Sequence, residues 1–97
     1  MDDLIEAKSM KQLVNNPEWQ GVRKSLLGQW KSNPVWCCLK LKHYLGPVQT
    51  ASDDKLRIVM NYLTGSGFRS GTIKHSCITV LRAQISAERK KRKFKNK

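Results

Sequence analysis

Residues 52–67 read SDDKLRIVMNYLTGSG, and this stretch decides the fold. Ser52 followed by Asp53 and Asp54 is a helix start: a hydroxyl to accept from a free backbone amide, then two acids against the positive end of the helix dipole. Leu56, Val59, Met60 and Leu63 follow at spacings of three and four, which predicts one buried face on a helix over about 52–64. Gly65-Ser66-Gly67 stops it, and Phe68 is expected to fold back onto the core.

The same grammar repeats on either side. Upstream, Leu4, Ile5, Met10, Leu13 and Val14 form an apolar stripe on a helix over about 2–15. Asn15-Asn16-Pro17 breaks it, and Pro17 suits the first turn of a second helix, about 17–31, with Trp19, Val22, Leu26, Leu27 and Trp30 facing inward. Asn33-Pro34 opens a third, about 34–45, presenting Val35, Trp36, Leu39 and Leu45 before Gly46-Pro47 ends it. The three tryptophans share faces with Leu and Val, so they are expected in the core rather than as base-stacking platforms. Downstream, a fifth helix over about 71–90 runs into a basic terminus. Strand-like alternation of useful length is absent from the sequence. The prediction is therefore all-α: a small single-domain bundle of about five helices in residues 1–88, containing a helix–turn–helix-like C-terminal pair, plus a basic C-terminal extension, 89–97.

Charge points to a partner. Nineteen Lys and Arg stand against seven Asp and Glu, a formal net charge of +12 on 97 residues. The acids gather near helix starts, none lies between Glu18 and Asp53, and beyond Lys55 only Glu88 opposes the basic residues. Repulsion among so many like charges opposes compaction, and a polyanion relieves it. An anionic membrane is disfavoured because the basic terminus offers only Phe94 as a bulky apolar anchor. No apolar run spans a bilayer, and Met1-Asp2-Asp3 lacks the basic-then-apolar layout of a secretion signal, so a cytoplasmic, nucleoid-associated protein is expected, or a nuclear one in a eukaryotic host.

On a wheel of 100° per residue, the fifth helix sets Ile73, Cys77, Val80, Leu81 and Gln84 on one side, with Ile85 at its edge. Lys74, His75, Arg82, Arg89 and Lys93 fall opposite, with Ser86 among them. One face would pack while the other enters a major groove. Lys74, His75, Ser76, Thr79 and Arg82 are expected at base edges. Arg69, Ser70 and Thr72, from the glycine loop before the helix, are expected to hold a phosphate. Arg89, Lys90, Lys91, Arg92 and Lys93 are expected to clamp the phosphate backbone. The competing reading is two antiparallel core helices with a solvated charged face.

Three cysteines, two adjacent, do not form a secreted disulfide framework, and the expectation is buried reduced thiols. A zinc site from Cys37 or Cys38 with His43, His75 and Cys77 has none of the usual paired spacings, so neither metal nor cofactor is expected. Gly65-x-Gly67-x-x-x-Gly71 is neither a dinucleotide fingerprint nor a nucleotide P-loop. With no nucleophile–base pairing or carboxylate dyad in an apolar setting, no enzymatic activity and no small-molecule substrate are expected. The function expected is sequence-specific recognition of double-stranded DNA by a transcriptional regulator of the kind carried by phages and mobile elements. Duplex DNA is favoured over RNA, and a homodimer would match a palindromic site, with the Leu4–Val14 stripe serving equally as a dimer surface or as core. An RNA-binding accessory protein and an adaptor or inhibitor docking on an acidic protein are the alternatives.

Overall fold

The structure, a computed structural model, describes residues 9–71, 73 and 75–95. Among these, helix is the sole regular secondary structure: α1 (Met10–Val14), α2 (Pro17–Leu26), α3 (Pro34–Leu45), α4 (Asp53–Leu63), α5 (Ser66–Arg69) and α6 (Ser76–Lys95). The all-α class stands.

Three helix starts follow from side-chain caps. Ser9 Oγ accepts from the Gln12 amide at 3.2 Å while the Ser9 amide donates to Gln12 Oε1 at 3.0 Å, a capping box. Asn16 Oδ1 accepts from the Trp19 amide at 3.1 Å, ahead of Pro17 in the first turn. Ser52 Oγ accepts from the Lys55 amide at 3.2 Å. Asn33 does not cap α3; its Nδ2 donates instead to Gln29 Oε1 at 2.9 Å. Gly46, at φ 72°, ends α3 in a backbone conformation that a side chain would strain.

The second helix is shorter than the predicted 17–31. It ends at Leu26, because Leu27 turns to ψ 122° and Gly28 takes φ 75°. Residues 27–32 then form turns that carry Trp30 inward and leave Leu27 76% exposed. Leu27 is thus a correction: a helical period drawn through residue 27 placed it in the core.

The core is aromatic at its centre. Trp19 is enclosed and packs against Tyr44 and Tyr62, each with ring centroids 5.4 Å away. Trp30 packs edge-on against Phe68 at 5.3 Å and donates its indole N–H to Tyr62 Oη at 2.7 Å. Phe68, carried by the one-turn α5, closes the cluster against Tyr62. Cys37 and Leu41 of α3, Leu56, Val59 and Leu63 of α4, and Leu81 and Ile85 of α6 are fully buried around it, with Leu26 of α2. Burial pushes the Tyr62 hydroxyl above its ordinary pKa, against a lowering by the Trp30 hydrogen bond. Tyr44 is raised by burial first, then by Glu18 and Asp54.

Two helix faces differ from the predicted ones. In α3 the buried positions are Cys37, Cys38, Leu41, Tyr44 and Leu45, whereas Val35, Trp36 and Leu39 are exposed. Trp36 is therefore not core: it is 45% exposed, with Lys40 Nζ 5.7 Å from its ring centroid. In α6 the buried residues are Ile78, Leu81 and Ile85, and Val80 is exposed, so the packed face is rotated toward Arg82 and away from Val80 and Gln84. The predicted α3 face of Val35, Trp36, Leu39 and Leu45 omitted Leu41 and Tyr44, and α3 and α6 each carry more apolar side chains than their neighbours cover.

Of the predicted first helix, residues 2–8, including Leu4 and Ile5, lie outside the described residues. Leu13 is core, and Met10 and Val14 pack against it. The described half of that stripe therefore faces inward rather than forming a dimer surface.

Candidate nucleic-acid interface

Helix α6 packs on α4 and α3, and its contacts with α4 fix its direction. Arg89 Nε lies 4.0 Å from Asp53 Oδ1 at the start of α4, while Arg82 Nη1 donates to the Leu63 carbonyl at its end, 3.4 Å away. The two helices therefore run in opposite senses. Residues 64–75 connect them, with α5 inside the connection, so no tight turn joins the pair.

The predicted 71–90 helix instead spans Ser76–Lys95. Its start is set by His75, whose Nδ1 accepts from the Cys77 amide at 3.2 Å, the geometry of an N-cap. Its end differs too: residues 89–95 continue the same helix rather than forming a separate tail. Glu88 and Arg92 explain part of that continuity, pairing one turn apart at 2.8 Å.

Most of the described predicted site residues line two open grooves. Arg69, His75, Ser76, Thr79 and Arg82 line one open groove of about 570 Å³, floored by Phe68, Ile73 and Ile78. Arg89, Lys90, Arg92 and Lys93 line a second of about 480 Å³, beside Asp53, Met60 and Ser86. At 1.5 Å per residue, Thr79, Arg82, Ser86, Arg89, Lys90 and Lys93 form one stripe about 20 Å long on α6. Lys91 is exposed outside that stripe, and Ser70 is exposed with its Oγ donating to the Gly67 carbonyl at 3.3 Å. Thr72 and Lys74 lie outside the described residues.

Arg92, although it borders the second groove, is also bound into the fold. Its guanidinium turns into the α3–α4 connection, where Nη2 donates to the Ala51 carbonyl at 2.7 Å and to those of Val48 and Gln49 at 3.3 Å. A phosphate clamp was expected of Arg92. The side chain holds protein carbonyls instead, because position 92 falls on the packed face that Ile78, Leu81 and Ile85 define. Sequence reasoning missed this role: the carbonyls it meets lie more than forty residues away in the chain. Arg82 is likewise half committed to the fold through Leu63.

The cysteines depart from the expectation of reduced thiols. Cys38 and Cys77 form a disulfide across α3 and the first turn of α6, with Cα atoms 6.6 Å apart, while Cys37 is free and buried. Packing of α6 on α3 creates that proximity, and nothing in the local sequence around either cysteine encodes it. Burial pushes the Cys37 thiol up. No described helix is long and apolar enough to cross a membrane. No protein-family model, curated protein or solved structure matches this chain.

Proposed function

We propose that this protein is a non-enzymatic nucleic-acid-binding protein, a sequence-specific regulator that lays α6 along duplex DNA. The observation that carries the reading is the basic stripe on α6, running from exposed Thr79 through half-buried Arg82 and Ser86 to exposed Arg89, Lys90 and Lys93. A helix with one packed face and one cationic face can enter a major groove. Arg69, His75, Ser76, Thr79 and the free donors of Arg82 occupy the end that would meet base edges and an adjacent phosphate. Lys90 and Lys93, with Lys91 beside them, supply sequence-independent grip on the backbone. Two copies on a palindromic site would double the contact without requiring more of each stripe.

The test is the salt dependence of affinity for random duplex DNA, with matched RNA as competitor. The intact chain should bind with a steep negative slope, and Lys90→Ala with Lys93→Ala should reduce that slope by about two, one for each lost phosphate contact. Preferential binding of RNA would move the same stripe to an RNA partner. Absence of binding to either polymer near physiological salt would overturn the reading in favour of an acidic protein surface.

A further inference from the structure

Cys38, in the middle of α3, Cys77, second residue of α6, and His75, immediately before that helix, converge from two parts of the chain. One ligand atom from each lies within 4.8 Å of the others. Cys38 is buried and its two companions are half-buried. Two sulfurs and an imidazole, with no carboxylate in the group, are the wrong donors for calcium or magnesium, which take oxygen. They suit a borderline-soft ion, and zinc accepts such a trio as three corners of a tetrahedron with the fourth open. With each sulfur about 2.3 Å from a shared ion, the sulfurs would stand apart as tetrahedral ligands, a change side-chain torsions can supply over the 6.6 Å between the Cα atoms.

We infer that the dithiol form of this chain binds one zinc ion through Cys38, Cys77 and His75. The structure shows these sulfurs in their oxidised, disulfide form. A phosphine supplies two electrons to the S–S bond and leaves as its oxide, with water giving the oxygen and the two protons the sulfurs take up; a dithiol supplies both electrons and both protons and leaves as its own disulfide. Zinc then displaces the two thiol protons as two Zn–S bonds form, and His75 contributes a lone pair.

The site is coupled to the start of α6. His75 Nδ1 accepts from the Cys77 amide, and metal binding through either ring nitrogen ends that bond. Bound at Nδ1, the metal takes the lone pair; bound at Nε2, it leaves Nδ1 carrying the proton. Zinc thus exchanges a cap for a coordination bond at the same helix end. Cys37 is an internal control, because it neighbours Cys38 in sequence yet is not one of the three.

The experiment is an anaerobic cobalt titration of the full chain kept reduced with a phosphine, followed by displacement with zinc. One equivalent should develop thiolate-to-cobalt charge-transfer absorption and the visible bands of tetrahedral cobalt, and zinc should bleach both. Cys38→Ser and Cys77→Ser should each lose this signal at stoichiometric metal. His75→Ala should keep the charge-transfer band with affinity at least ~10-fold weaker, since a lost ligand costs no less than a lost outer-shell partner. Cys37→Ala should behave as the parent. Absence of the bands in the reduced parent chain overturns the proposal whatever the variants do. So does their persistence in a Cys38→Ser, Cys77→Ser chain, or their loss in Cys37→Ala that retains its helical circular dichroism. The inference does not rest on nucleic-acid binding, which the oxidised protein tests separately.

Discussion

Tyr62 and Arg92 are two residues whose partners make them testable singly. Tyr62 accepts the indole proton of Trp30, which is itself 7% exposed, so Tyr62→Phe leaves a buried donor without its acceptor. The expected cost is about 1–2 kcal/mol in a urea unfolding experiment, with the far-ultraviolet spectrum unchanged. A neutral result would mean the hydrogen bond contributes nothing net. Arg92→Ala removes donors from three carbonyls and from Glu88, and should cost about 2 kcal/mol with little change in salt slope for nucleic acid. Lys93→Ala, one position on, should do the reverse. If Arg92→Ala lowered the slope as much as Lys93→Ala, the division of the terminal basic residues made above would be mistaken. Cys37 supplies a third check: enclosed and with its thiol pushed up by burial, it should resist alkylation in the folded protein and react promptly in denaturant.

Among the elements, α4 shows what a sequence makes readable. Its Ser52 cap, its acids, its apolar period and its glycine stop all agree, and the helix forms at Asp53–Leu63, one residue inside each predicted bound. Helix α3 was placed correctly, yet its buried face was not, because Val35, Trp36 and Leu39 are apolar and nothing covers them among the described residues. Periodicity reports which side chains avoid water, while burial also depends on what arrives opposite. The one-turn α5 and the start of α6 at Ser76 were hidden for another reason: a segment with three glycines carries no period to read. Within the site, the sequence assigned Arg69 and Arg82 to nucleic-acid contact separately, while their shared groove and the inward turn of Arg92 depend on packing that the sequence does not display. This changes how the terminal turns of α6 are best probed. Cutting the chain after Glu88 would remove Arg92 with the lysines and should lower the unfolding midpoint as well as affinity, so point substitutions at Lys90 and Lys93 isolate the electrostatic part.

At the scale of the whole molecule, two background effects set the solution conditions. With a net charge of +12, self-repulsion opposes compaction, and added salt should raise the melting temperature until screening is complete. A melting temperature that fell with salt would mean that favourable ion pairs outweigh the repulsion. High pH acts through the core. Tyr62 and Tyr44 both have raised pKa values, so the folded state opposes their ionisation. Their contribution is fully present below the ordinary tyrosine value near ~10 and is lost as pH rises through the higher folded values. The urea midpoint should therefore fall on the alkaline side of that value, and a flat midpoint there would remove both tyrosines from the account. The Arg92 contact with the Ala51 carbonyl has a temporal side as well. It closes a loop of 41 residues, and a contact of that span has more chain entropy to overcome than the local turns of a helix. The C-terminal turns of α6 should accordingly consolidate late and open early, with backbone amides near Arg92 exchanging with deuterium sooner than those around Leu81. In Arg92→Ala they should exchange sooner still, turning a side-chain contact into a clock for the order in which this chain assembles.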